Sequence, residues 1–181
     1  MKKFLCVAMT LCMMMGVTAV LAEEPAAEVP SLNWEDVEPV LEAGEVAGDF
    51  YTFDEIDVKI WLPEGCNPVE LTDEDKENGY IGYFMTEDES TAVAVVYVDV
   101  NGMTLEEYAE YLSSESDVTE VEAGTVNGFP CVSYKMPEKD SINITFTTEA
   151  GYALEVSCTP ASEENAELVW GAVIASIQSA S

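Results

Sequence analysis

Histidine and arginine are both absent from the 181-residue chain, whose six basic residues are all lysine, against 36 acids. Each absence closes a chemistry. Without imidazole, neither a Ser-His-Asp nor a Cys-His nucleophile can be assembled, and histidine-ligated zinc is excluded. Without guanidinium there is no bidentate clamp for a phosphate or carboxylate substrate. Catalysis by carboxylates or lysine alone stays open, but the balance moves toward a non-enzyme. A net charge of −30 repels nucleic acid and anionic headgroups, so neither is expected as a partner.

Cysteine is scarce as well. Cys6 and Cys12 fall in the first 22 residues, MKKFLCVAMTLCMMMGVTAVLA, where Lys2 and Lys3 precede an apolar run from Phe4 to about Val17. Val20 and Ala22 stand three and one residues before an expected cut, so 1–22 reads as a secretory signal peptide. The run is short for a membrane span. Each of the two cysteines follows leucine instead of the small residue that lipidation requires. The leader holds two lysines and no acid, so its loss leaves roughly 160 still more acidic residues, enough for one domain with a substantial core. An exported, monomeric protein without a membrane span is expected.

What remains is patterned for folding. Residues 23–32 (EEPAAEVPSL) read as a flexible acidic lead-in, and 33–181 as a single domain. In NWEDVEPVLEAG, Asn33 is a plausible N-cap and Trp34, Val37 and Leu41 share a helical face, with Pro39 a kink or a break and Gly44 a stop. In IDVKIWL, Ile56, Val58, Ile60 and Leu62 alternate with Asp57, Lys59 and Trp61, the pattern of a half-buried strand. The next strands are YIGYFMT and TAVAVVYVDV. The latter is apolar on both faces: Val93, Val95 and Tyr97 on one, Ala94, Val96, Val98 and Val100 on the other. Such a strand calls for cover above and below.

That cover is available. TLEEYAEYLSS opens with a capping box, Thr104 with Glu107, and puts Leu105, Tyr108, Ala109 and Leu112 on one stripe. VTEVEAGTV and FPCVSYKMP flank Asn127-Gly128, a strong hairpin signal. INITFTT and YALEVSC alternate, joined by EAG. The chain ends in SEENAELVWGAVIASIQ, a helix expected to start at Ser162 with Ala166, Val169, Trp170, Val173 and Ile177 as its apolar stripe. The order implies an α+β layered sandwich: one mainly antiparallel sheet with helices on both faces.

The later cysteines, Cys66, Cys131 and Cys158, match no zinc spacing. Cys131 and Cys158 belong on strands flanking a third, about 9–10 Å apart, beyond the roughly 7 Å reach of a disulfide. Cys66 can reach one of the others from its loop, and free buried thiols are the simpler expectation. Cys131 has no histidine to activate it, and nearby negative charge raises a thiol pKa.

Chemistry-bearing candidates are few. LTDEDKENGY (71–80) looks like a calcium loop, yet an EF-hand register from Asp73 puts Asn78 at the sixth position and Phe84 at the twelfth, and one from Asp75 puts Gly79 where a ligand belongs. The stretch reads as a solvated loop. A looser metal site on Asp73, Asp75 and Glu77 is a weaker alternative, and no cofactor is expected. Nothing in the spacing of the acids singles out a catalytic pair. Tyr80, Tyr83, Phe84 and an outward Trp61 are either core or an aromatic patch rimmed by acids, suited to a cationic or sugar ligand.

LPEGC (62–66), TLEEYAEYL (104–112), VNGFPCVSY (126–134), AGYALEVSC (150–158) and the closing ASIQ (175–178) together resemble small secreted bacterial proteins with the PsbP-like fold. That fold is named for an extrinsic photosystem subunit and shared with a Ran-binding nuclear transport factor. The resemblance covers about residues 50–178 and implies an accessory, docking or assembly role, with no functional residue to carry over. The chain lacks the basic residues that some of these relatives use for docking. The expectation is therefore a binding protein for a protein, cell-surface or cationic ligand. A small carboxylate-based hydrolase or a calcium-dependent module using the loop near Asp73 are the alternatives.

Overall fold

In the computed structural model, residues 30–53, 56–147, 152–162 and 166–180 are described. The leader, most of the lead-in, the EAG turn and the start of the last helix lie outside them.

The strands are β1 (Ser31–Leu32), β2 (Gly48–Thr52), β3 (Lys59–Pro63), β4 (Asn67–Pro68), β5 (Tyr80–Met85), β6 (Ala92–Asp99), β7 (Thr119–Val126), β8 (Phe129–Met136), β9 (Ser141–Thr147) and β10 (Tyr152–Thr159). Helices are α1 (Trp34–Gly44), α2 (Asp73–Glu77), α3 (Leu105–Ser114) and α4 (Ala166–Ala175). Eight strands form one sheet in the order β1-β7-β8-β9-β10-β6-β5-β4, and β2 with β3 form a separate hairpin. The large sheet is antiparallel except where β1 runs parallel to β7, Ser31 opposite Thr125. The end of the lead-in is thus a strand and not a flexible stretch: Pro30 and Leu32 carbonyls accept from Thr125 and Asn127 amides.

Local signals explain the connections. Thr104 and Glu107 cap α3 reciprocally, as the pattern predicts. Asn127 and Gly128 both take positive φ, which the tight β7–β8 turn demands. Pro39 does not split α1, which runs from Trp34 to Gly44 with the proline inside it. Asn33 makes no capping bond to the helix backbone, and its amide reaches Asp36 instead.

The two sheet faces are covered unequally. On the first, Val93, Val95, Ile144, Leu154, Val156 and Cys158 pack under α4, the β2–β3 hairpin and α1 in one buried cluster. Helix α4 is buried nearly all round, with Leu168, Ala172 and Ile174 inside as well as Trp170 and Val173. The expected single stripe fails because α1 and β3 pack onto the helix as well as the sheet. For the same reason Ile60, Trp61 and Leu62 are buried consecutively, and the Trp61 amide donates to Ser176 Oγ. Trp61 is core and does not point outward.

The second face is the correction to a strand shielded equally on both sides. Helix α3 lays Tyr108 and Leu112 over Val100, Val132, Tyr134 and Ala153. It sits against β7 and β8, and the rest of this face has less above it. Val93 and Val95 are 0% and 1% exposed, whereas Ala94, Val96 and Val98 are only half-buried.

One side chain joins three parts of this structure. Asn127 accepts from the Trp34 amide at 2.9 Å and donates to the Ala175 and Ile177 carbonyls at 2.7 and 2.8 Å. We expect Asn127→Ala to destabilise by about 2–4 kcal/mol, from three lost bonds and a left-handed backbone. Asn127→Gly should recover about 1 kcal/mol of this. Urea unfolding of both variants measures the difference; a loss below about 0.5 kcal/mol for alanine would show the bonds to be unimportant.

Candidate functional site: the half-covered sheet face

The acidic stretch that first suggested a calcium site is α2 and not a loop. Thr72 caps it: its hydroxyl accepts from the Asp75 amide, and Asp75 Oδ2 accepts from the Thr72 amide and hydroxyl. These bonds hold the Asp75 carboxyl below its ordinary pKa. Asp73 and Glu77 are exposed, and among the described residues no three Cys, Asp or Glu side chains gather as metal ligands would. The Thr72-x-x-Asp75 pattern was the missed signal for a helix start.

The sequence-predicted aromatics scatter. Phe84 is 1% exposed and touches Tyr51 and Phe53 edge-on; Trp61 is buried against Trp34. Tyr80 and Tyr83 are half-buried, while the exposed rings among the described residues are Phe50, Tyr51, Tyr111, Phe129 and Tyr152. Cys66, Cys131 and Cys158 are free thiols. Burial, not neighbouring charge, is the main cause that pushes Cys131 up to about 11 and raises Cys66 and Cys158 too. Such thiols are poor nucleophiles at neutral pH.

A different group stands out. Glu155 lies on β10 on the second face, opposite Val96 of β6 and Thr145 of β9. Alternation in LEVSC gives no hint of burial there, because the cover comes from β8 and α3. The Tyr134 hydroxyl donates to Glu155 Oε2 at 2.5 Å, and Tyr108 lies in the same cluster. Loss of hydration raises the Glu155 carboxyl; the Tyr134 bond, Lys139 and Thr145 pull the other way without cancelling it. Burial and then the Glu155 charge raise both tyrosines. Thr145 is wholly buried beside Glu155 and Tyr108, and its hydroxyl has no partner of good geometry among the described residues. Asn143 and Ser141, also buried, bond each other.

One step along β10 the face opens. Tyr83, Met85, Glu89, Ser90, Ala92, Ala94, Ser157 and Thr159 line a shallow trough of about 200 Å³ between β5, β6 and β10. Its floor is low because Ala92, Ala94 and Ser157 are small. Pockets that enclose small-molecule ligands run to about 300–1,000 Å³, so this one suits a side chain better than a cofactor.

No family model matches the chain, and no curated protein does. A solved structure does: the solution structure of the cyanobacterial PsbP (CyanoP) from Synechocystis sp. PCC 6803 superposes with a TM-score of 0.51 and 12% identity, over 88% of this chain and 98% of that one. The fold is PsbP-like. At this identity the likeness speaks for the architecture alone. In this PsbP-like chain no described helix is long and apolar enough to cross a membrane.

Glu155 makes a pH prediction. Its folded-state pKa is raised, so the folded protein holds the proton longer than the unfolded chain does. Stability from this group is therefore full below the ordinary glutamate value near 4.5 and declines as pH rises through the folded value. Glu155→Gln keeps an acceptor for Tyr134 and carries no charge. Urea unfolding from pH 4 to 8 should show the variant gaining on the native protein as pH rises. A variant that loses ground instead would mean that Tyr134 and Lys139 more than repay desolvation.

Proposed function

We propose that this is an exported, non-enzymatic binding or accessory protein, acting as a monomer on a cationic partner. The observation that carries the reading is charge: −30 overall, with no arginine or histidine. Of the lysines, Lys135 is paired with Glu120 and Glu167, and Lys59 sits over the Phe50 ring. Such a surface field attracts positive ligands and rejects nucleic acid and anionic membranes. Support for export comes from the leader at 1–22. The PsbP-like fold is compatible with a docking role and supplies no catalytic group.

A second reading, the carboxylate hydrolase, now has a specific residue in Glu155, whose raised carboxyl resembles a general acid. It lacks a partner: no second carboxylate is among the groups that shift it. A glycosidase-type pair needs two facing acids.

Thermal unfolding of the secreted protein separates the readings. A basic peptide at a hundredfold excess over its Kd should add about 2.7 kcal/mol, roughly 5–10 °C in Tm, and the gain should shrink with salt. Calcium, magnesium and neutral cell-wall sugars should leave Tm unchanged. A calcium-specific rise abolished by Asp73→Ala with Asp75→Ala would replace this reading with the metal-dependent one.

A further inference from the structure

Resting on that reading, we propose that the trough between β5, β6 and β10 docks a lysine-bearing segment of a partner protein, its methylene stem over Ala92 and Ala94 and its ammonium on Glu89. The trough is apolar where a stem would lie: Ala92 and Ala94 form the floor, with Met85 and the Tyr83 ring at the side. A lysine is the cation that such a slot fits, since it buries four methylenes and keeps one compact charge at the tip. Glu89 is the one charged residue lining the trough and is the counter-charge that the ammonium would meet. Among the described residues no lysine lines the trough.

Two further features point to a peptide and not a free amine. Among the described residues the Tyr83 hydroxyl has the Met85 sulfur, 3.7 Å away, as its partner. A thioether is a weak acceptor, so a partner's backbone carbonyl would improve on it. Ser157 and Thr159 add hydroxyls along the opposite wall. Glu155 lies one step further along the same face, opposite Val96. Asp88, the residue before Glu89, is already occupied: Thr86 and Ser90 donate to it, which leaves Glu89 as the contact.

The test uses a fluorescent ten-residue peptide of alternating lysine and leucine, and its glutamate–leucine counterpart, in anisotropy titrations against the secreted protein. The basic peptide should bind and the acidic one should not. Ala94→Phe fills the trough from a half-buried position outside the sealed core and should weaken binding at least tenfold. Ala92→Leu is a second filling variant should the first fail to fold, with the same expectation. Glu89→Lys should also weaken binding about tenfold, whereas Glu110→Lys, exposed on α3, should change it less than about threefold. Should the basic peptide bind equally well to both filled variants and to Glu89→Lys, the trough is not the site, although the cation-binding reading survives. No binding to the native protein at low salt would overturn both.

Discussion

Burial of Val93, Val95, Ile144, Val156 and Cys158 beneath Trp170 and Val173 is the interaction on which the rest of this molecule depends. Each of the four aliphatic side chains among them contributes about 1.5–3 kcal/mol relative to exposure. Once this face is sealed, α4 must itself be covered, and α1 and the β2–β3 hairpin do so. That demand makes α4 apolar all round and buries Trp61.

The second face is under less pressure, and the chain treats it differently. Helix α3 closes the β7–β8 side with Tyr108 and Leu112, and between the two regimes sits a polar seam: Tyr134, Glu155, Thr145, Asn143 and Ser141. Beyond the seam the floor drops to alanine and serine. A polypeptide optimised only for stability would fill that floor with valine or isoleucine, as it does one residue away on the other face at Val93, Val95 and Val156. The function proposed above would use these small residues, beside Glu89, as the floor for a cationic partner.

Much of the architecture was legible where its cause is local. The Thr104–Glu107 box, the Asn127-Gly128 turn and the alternation of INITFTT depend on neighbours within a few residues, and each appears where the pattern puts it. Readings failed where distant elements decide. Lys59 and Trp61 alternate with Ile60 and Leu62 in IDVKIWL, and nothing local says that α4 and α1 will close over Trp61. Glu155 looks like an outward residue of an amphipathic strand until Tyr134 and Tyr108 arrive above it. TAVAVVYVDV looks equally apolar on its two faces, yet Ala94, Val96 and Val98 are half-buried because α3 sits over β7 and β8 and not over this strand. The acidic stretch at 71–80 reads as a solvated loop, yet its Thr72–Asp75 spacing is that of a helix cap.

The unequal cover of β6 is the claim that everything else presupposes, and site-directed thiol labelling measures it directly. With the native cysteines replaced, Ala94→Cys and Val95→Cys place adjacent thiols on opposite faces of one strand. This account predicts that the thiol at 94 reacts with a small maleimide in the native state, while the one at 95 reacts only as fast as the protein unfolds. Equal protection at both positions, or ready reaction at 95, would contradict it.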